Sequence, residues 1–160
     1  MNSSLTVSPV SKPSYRLHCV ACGKVFLEKQ TVTNCLACGG AMDVRYTPLP
    51  VAYKNLEQVL SYADSYAFLR AHGLLPLVSE KLVSLKEGNT PLLHATVIGK
   101  TVGLKNLLLK FEGANPTGVF KDRGSVVEIT KALELGAKAV TCASTGNMAA
   151  SVAAYCAKAK

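Results

Sequence analysis

The chain has 160 residues, of which 49% are hydrophobic and 18% are charged, and its formal net charge is +8. This composition is typical of a folded domain of ordinary size and excludes an intrinsically disordered chain. No apolar run approaches the roughly 18 residues that a membrane span needs, and the positive charges are too scattered for a nucleic-acid-binding patch. We therefore expect a cytoplasmic protein that binds neither membranes nor nucleic acid.

The chain begins with a polar segment, residues 1–16, that lacks the basic-then-apolar layout of an export signal. We predict that this segment is a flexible tail.

Four of the six cysteines then form two closely spaced pairs. Cys19 and Cys22, like Cys35 and Cys38, are separated by two residues, twelve residues lie between the pairs, and glycine follows each pair. Such knuckles bring four thiolates to a tetrahedral point, and disulfides are the disfavoured alternative in a cytoplasmic protein. We predict a zinc-ribbon-like β module over residues 17–46, with a structural zinc ion whose closed ligand shell leaves no place for catalytic water.

Residues 47–88 contain several prolines and one segment with helical periodicity, "NLEQVLSYADSYAFLRAHG". The apolar residues of this segment fall on roughly one side, and a glycine ends it. We predict a helical connector between the front module and a larger body.

From residue 89 onward the pattern changes to strand, turn and helix, twice over. "KNLLLKFE" and "AKAVTCAS" are short apolar runs typical of buried strands, and each is followed by a turn and a helical pattern. The first helix is predicted to end near Leu135, with Gly136 as a left-handed cap. This order predicts an α/β domain with a parallel sheet over 89–160, in which both turns lie at the carboxyl ends of the strands.

The turn "NPTGVFKDRG" places Lys121 in what is predicted to be the first turn of a helix. A cation is disfavoured there, and a local rule broken without compensation often marks a functional residue. An uncharged lysine amine can form a Schiff base with an aldehyde, although an ordinary surface lysine is the alternative from position alone. The spacing of Gly113 and Gly118 suggests a nucleotide phosphate loop, but Val119 and Phe120 stand where that motif needs lysine and then serine or threonine.

The run from "EGNTPLL" through "NLLLKFEGANPTGVFKDRG" to "ASTGNMAASVAAYCAKA" closely resembles the threonine synthases, over about residues 80–160. These enzymes belong, with tryptophan synthase β and threonine dehydratase, to the second fold family of pyridoxal-phosphate enzymes. The zinc-ribbon-like front with "GGAMDVRY" resembles the N-terminal extension of many bacterial and archaeal threonine synthases. The resemblance therefore implies that residues 89–160 are the start of a tryptophan synthase β-like parallel sheet.

The resemblance also implies roles for single residues. Lys121 would be the catalytic residue and would hold pyridoxal phosphate covalently. Asn147 would hydrogen-bond the phenolic oxygen of the cofactor, and Ser144, Thr145 and Gly146 would grip the carboxylate of the substrate. Those residues precede a predicted helix, whose free N–H groups favour an anion. The implied reaction converts O-phospho-L-homoserine and water to L-threonine and phosphate.

Two departures limit this assignment. The family usually has serine where this chain has Val119, which leaves open a related lyase of the threonine dehydratase or cysteate synthase type. The glycine-rich phosphate loop of the family and the residue that faces the pyridine nitrogen come later in family sequences. We therefore expect the N-terminal part of a longer enzyme or a truncated reading frame, inactive alone, with a homo-oligomer as one option at full length. A zinc-ribbon binding module with an inactive α/β half is the alternative from another class.

Overall fold

The structure is a computed structural model that describes residues 15–28, 30, 33–46, 66, 69, 73–79 and 81–160. The chain divides into two compact units, Met1–Val78 and Ser79–Lys160. Of the tail predicted over residues 1–16, residues 1–14 lie outside the described residues, and Tyr15 and Arg16 belong to a strand. Most of the helix predicted in the connector, in which Tyr66 and Leu69 are described and are helical, also lies outside the described residues.

The first unit contains a three-stranded antiparallel sheet in the order β2-β1-β3, formed by β1 (Tyr15–Cys19), β2 (Val25–Phe26) and β3 (Met42–Tyr46). Strand β1 begins two residues before the predicted start of the module. The small core consists of Cys19, Phe26 and Cys35, against which Leu17 and Met42 pack. Two of the predicted metal ligands are therefore core residues of this unit.

The second unit contains a two-stranded sheet and three α-helices. The strands β4 (Leu92–His94) and β5 (Leu108–Lys110) are antiparallel, and helix α1 (Thr96–Thr101) connects them. A single 3-10 turn, Glu112–Ala114, leads into the lysine loop. Helices α2 (Asp122–Glu134) and α3 (Asn147–Ala159) follow and pack against each other.

The mixed α/β class is confirmed, but two details of the predicted sheet differ. The strand predicted over 105–112 shortens to Leu108–Lys110 and pairs antiparallel with β4, and residues 137–144 form no strand. A parallel strand obtains its hydrogen bonds from neighbours on either side, so an apolar run alone does not create one. Among the described residues, no strand lies beside residues 137–144 to pair with them in a parallel sheet.

The two long helices form where the sequence predicts them. Helix α2 ends at Glu134, and Gly136 adopts φ +74°. The N–H of Gly136 donates to the Leu133 carbonyl and that of Ala137 to the Ala132 carbonyl, both at 2.9 Å. This pair of bonds is a Schellman cap, in which glycine takes the left-handed conformation without a Cβ penalty. None of the described helices is long and apolar enough to cross a membrane.

Candidate functional site

Lys121 is the N-cap residue of α2, directly before the first helical residue, Asp122. Its side chain is half-buried, and Nζ lies 4.6 Å from the centre of the Phe120 ring. Among the described residues no hydrogen bond or ion pair to this amine is present. The lysine therefore stands at the helix start predicted for it.

The loop before Lys121 is held by the carboxyl group of Asp122, whose residue is fully buried. Its Oδ2 accepts the backbone N–H of Thr117 at 2.7 Å, and its Oδ1 accepts the Thr117 hydroxyl at 2.5 Å. Within the same loop, the N–H of Gly118 (φ +80°) donates to the Asn115 carbonyl at 2.8 Å. These bonds close residues 115–122 into a compact loop with Lys121 near its end.

A second set of contacts ties this loop to the residues before β4. Asn115 is buried and accepts the N–H of Gly88 at Oδ1 at 3.0 Å. Arg123 donates twice to the Glu112 carboxylate, at 2.6 and 2.8 Å, and Thr90 donates to the same carboxylate at 2.8 Å. The hydrogen bonds from Arg123, then from Thr90, lower the pKa of Glu112 to about 2. Glu112 is therefore ionised at neutral pH and holds the arginine in a bidentate pair.

The turn predicted to bind the substrate lies at the start of α3. Gly146 is the N-cap, the helix begins at Asn147, and no side chain caps it. Ser144 is half-buried and its Oγ accepts the Gly146 N–H at 3.3 Å, whereas Thr145, Gly146 and Asn147 are exposed. The first N–H groups of a helix have no intrahelical acceptor, so this start can receive an anion.

The starts of α2 and α3 are linked by buried hydroxyl groups. Ser151, four residues after Asn147, donates to Asp122 Oδ1 at 2.6 Å, and its Oγ lies 2.7 Å from Ser125 Oγ. All three polar residues are fully buried. The structure thus brings the lysine and the "STGN" turn to the same end of a helix pair. No hydrogen bond joins Lys121 directly to residues 144–147 in this described region.

Sequence reasoning missed the residues that hold this arrangement. Asp122 and Arg123 stood within the quoted lysine motif without an assigned role, while Ser125, Ser151 and Glu112 were not singled out. The only available signal was the motif itself, since a serine inside a helix gives no indication of its partner.

The four cysteines predicted as metal ligands do meet. Their sulfur atoms all lie within 4.8 Å of one another, with Cys19 and Cys38 at 3.5 Å and Cys22 and Cys35 at 3.7 Å. Sulfur atoms about 2.3 Å from a shared tetrahedral ion are expected at such separations. The geometry and the all-sulfur donor set fit a zinc ion.

The two knuckles have the same backbone plan. In the first, the N–H of Gly23 donates to the Cys19 carbonyl at 3.0 Å; in the second, that of Gly39 donates to the Cys35 carbonyl at 2.7 Å. The two glycines have φ +74° and +73°. The turn that the trailing glycines predicted is therefore present in both halves.

The backbone around the first knuckle also favours the ligand form of a thiol. The N–H of Cys22 lies 3.4 Å from Cys19 Sγ, and this contact, assisted by the N–H of Ala21, lowers the pKa of Cys19 to about 6. Metal binding requires a deprotonated thiol. The backbone N–H groups around Cys19 favour that form.

An open apolar groove of about 470 Å³ lies elsewhere on the second unit, lined by side chains that include Ile129, Ala132, Leu133, Val140, Cys156 and Ala159. These residues belong to the later turns of α2 and α3 and to the segment between the helices. The groove is therefore at the opposite end of the helix pair from Lys121.

Comparison with known proteins agrees with this geometry. A family model described as "Pyridoxal-phosphate dependent enzyme" matches residues 83–160. The chain is 41% identical to a threonine synthase of Methanosarcina acetivorans over 91% of this chain and 35% of that protein, and 43% identical to one of Methanocaldococcus jannaschii over 88% and 34%. A threonine synthase of Bacillus sp. (strain ULM1) is 57% identical over 51% of this chain and 23% of that enzyme.

The two archaeal matches cover most of the chain, whereas the Bacillus match covers about half. The chain spans about a third of the length of the archaeal relatives. The lysine loop and the uncapped start of α3 both lie within residues 83–160, the stretch that the family model matches.

Proposed function

We propose that this chain is the N-terminal part of a threonine synthase, which converts O-phospho-L-homoserine and water to L-threonine and phosphate. The observation that carries the proposal is the placement of Lys121 at the start of α2, beside the uncapped start of α3, in a chain 41% identical to a threonine synthase over 91% of its length. The small-molecule substrate would carry both an amino-acid carboxylate and a phosphate.

The residues present fit the cofactor. Lys121 offers an amine without a hydrogen-bond partner in the described part of the chain, which suits covalent attachment to an aldehyde. Asn147 is exposed at the first position of α3, and we assign it to the phenolic oxygen of the cofactor. Ser144, Thr145 and Gly146 are assigned to the substrate carboxylate, which the free N–H groups of this helix start would favour.

Bound pyridoxal phosphate supplies an electron sink for the carbanion chemistry of such reactions. The protein supplies position and proton transfer. With substrate bound, Lys121 Nζ would accept and return protons as a general base and acid. Lys121 is half-buried, and its Nζ lies 4.6 Å from the centre of the Phe120 ring.

One position keeps a second reaction under consideration. Val119 stands two residues before the lysine, where the family usually has a hydroxyl, and it is half-buried in this loop. A substrate that needs no hydrogen bond at that point, such as one of a threonine dehydratase or cysteate synthase type, would be tolerated. Assay of the same protein with L-threonine and with O-phosphohomoserine distinguishes the dehydratase reaction from threonine synthesis.

We further propose that Cys19, Cys22, Cys35 and Cys38 bind one zinc ion with a structural role. The support is the close approach of all four sulfur atoms and the repeated knuckle backbone. Four thiolates fill a tetrahedral shell, so the metal would stabilise the three-stranded sheet rather than take part in the reaction. A binding module without catalysis would keep this metal and lack cofactor attachment at Lys121.

The activity is tested by joining this chain to the remaining segment of the Methanosarcina acetivorans relative. We expect this fusion to release phosphate from O-phosphohomoserine and to form threonine, and Lys121→Ala in the same fusion to be inactive. A fusion that folds and carries pyridoxal phosphate on Lys121 yet acts only on L-threonine would contradict the proposed substrate.

Residues 1–160 alone are proposed to lack this turnover, because they correspond to about a third of the archaeal relatives' length. The phosphate of the cofactor also needs a ring of N–H donors, whereas the start of α3 is assigned to the substrate. Phosphate release by the isolated chain at about 1 per second or more would contradict its inactivity.

A cytoplasmic location, the absence of nucleic-acid binding and a homo-oligomeric full-length form remain predictions.

A further inference from the structure

The buried hydrogen bond between Ser151 and Asp122 connects the two helix starts that carry the proposed site. Asp122 directly follows Lys121, and Ser151 lies one helical turn after Asn147. The bond is 2.6 Å long and both residues are fully inaccessible to solvent. A change at this bond would therefore affect both the lysine loop and the start of α3.

Asp122 is an unusual residue to bury at this point. Among the described residues no lysine or arginine forms an ion pair with it, and its acceptor oxygens are satisfied by the Thr117 N–H, the Thr117 hydroxyl and the Ser151 hydroxyl. Burying a carboxyl group is costly unless hydrogen bonds replace the lost water. Three donors and the favourable start of α2 compensate for that cost.

The serine pair extends the link within the helix interface. Ser151 has one hydroxyl proton, and when that proton is donated to Asp122, Ser125 can donate to Ser151 in turn. The N–H of Ser125 also donates to the Lys121 carbonyl at 3.0 Å. The backbone of the lysine is thus bound within the same network as Ser151.

We propose that Asp122 and Ser151 are positioning residues that set the location of the Lys121 amine relative to the 144–147 turn. This inference rests on the proposed function, because it assumes that Lys121 receives the cofactor aldehyde. Neither residue touches cofactor or substrate in this assignment. They act by holding the loop 117–121 and the start of α3 at one fixed separation, on which reactions between oriented groups depend steeply.

Competitive labelling of the fusion protein described above tests this proposal without any assay of turnover. Pyridoxal phosphate in excess is followed by borohydride reduction and peptide mapping, and the label on Lys121 is divided by that on Lys105 in the same sample. We expect the wild-type ratio to favour Lys121. In Ser151→Ala we expect that ratio to fall about tenfold or more, since small misplacements of reacting groups have effects of this order.

Thr130→Val is the matched control for loss of a buried hydroxyl. Thr130 is buried on α2, its hydroxyl donates to the Val126 carbonyl at 2.6 Å, and it accepts the Val83 N–H at 2.9 Å. Its position, two helical turns beyond Asp122, lies outside the proposed site. We expect Thr130→Val to lower stability without changing the labelling ratio.

Asp122→Asn supplies a second variant of nearly the same size, and the double variant tests whether both residues act through one bond. We expect the ratio in Asp122→Asn with Ser151→Ala to be no lower than in the more affected single variant. A Lys121 preference that persists unchanged in both single variants would overturn the positioning role while leaving the proposed function standing. A wild-type ratio near one would instead reject Lys121 as the cofactor lysine, and with it both proposals.

Discussion

In the first unit, the residues that meet at the candidate metal centre come from two turns of the same design, each of which carries two cysteines three positions apart. In the second unit, the contact that joins the two halves of the candidate site links Asp122 and Ser151, which are 29 residues apart. The two cysteine turns have matching backbone hydrogen bonds. The hydrogen bond between Asp122 and Ser151 occurs once and depends on the packing of α2 on α3.

This difference has a consequence for how each site responds to change. Within a knuckle, the glycine, the N–H donors and the two sulfur atoms are neighbours in the chain, so the local turn presents its cysteines together. Across the helix pair, no local preference brings Asp122 to Ser151, and the arrangement exists only when the interface is packed. Loss of the metal ion should therefore disrupt the cysteine site most. Loss of buried polar contacts should disrupt the lysine site most.

The largest expected effect in the second unit is that of Lys121→Ala. Without the amine, covalent attachment of the cofactor and proton transfer are both lost, and we expect phosphate release by the fusion protein to fall about 10³-fold or more. Lys105→Ala removes an exposed lysine before β5 and serves as control. Activity and borohydride-stable label retained at wild-type level in Lys121→Ala would reject the assignment.

In the first unit the largest expected effect is that of removing the metal. We expect one zinc ion per chain, lost in Cys35→Ser with Cys38→Ser. Because structural zinc contributes about 10 kcal/mol or more in small metal-dependent folds, the sheet β1–β3 should then lose its ordered amide signals. Metal analysis and NMR measure this, with the amides of α2 and α3 as internal reference. Absence of stoichiometric zinc in the wild type would contradict the metal site.

A smaller effect is expected from the partly exposed pair of Arg123 and Glu112. The pKa of Glu112 is about 2 when folded, below its usual 4.5, so its contribution to stability is present above about pH 4.5 and is lost as the pH falls toward 2. Glu112→Gln should lower stability by about 1 kcal/mol at neutral pH and flatten this acid dependence.

Thermal denaturation from pH 7 to pH 3 measures both effects of Glu112→Gln. Glu128→Gln provides the control, because Glu128 is exposed on α2, the helix that carries Arg123, and makes no ion pair within the described chain. An acid dependence unchanged in Glu112→Gln would show that the pair with Arg123 does not carry it.

The smallest effects are expected from two glycines of the same helix region, with opposite signs. Gly136 has φ +74°, so Gly136→Ala should destabilise by about 1 kcal/mol. Gly124 lies inside α2, and an added Cβ would come no closer than 3.5 Å to Glu128 Oε1. Gly124→Ala should therefore stabilise by about 0.5–1 kcal/mol. Chemical denaturation of both variants decides the signs, and destabilisation by Gly124→Ala would reveal a constraint beyond helix geometry.

Much of both sites could be predicted from the sequence because the determining features are local. The spacing of Cys19, Cys22, Cys35 and Cys38 with trailing glycines specified the two turns. The turn residues before Lys121 and the periodicity after it located the start of α2 to within one residue, and Gly136 marked its end. In each case a dihedral preference or a short-range spacing carries the information.

The tertiary structure alone decided which polar residues are buried and what they bind. Ser151 and Ser125 are ordinary helix serines in the sequence, and they become the donors of a buried network only because α3 packs on α2 at that register. Likewise β5 pairs antiparallel with β4, and residues 137–144 form no strand, although their apolar runs look alike. Strand pairing and polar burial depend on partners far away in the chain, whereas turns and helix ends depend on a few neighbouring residues.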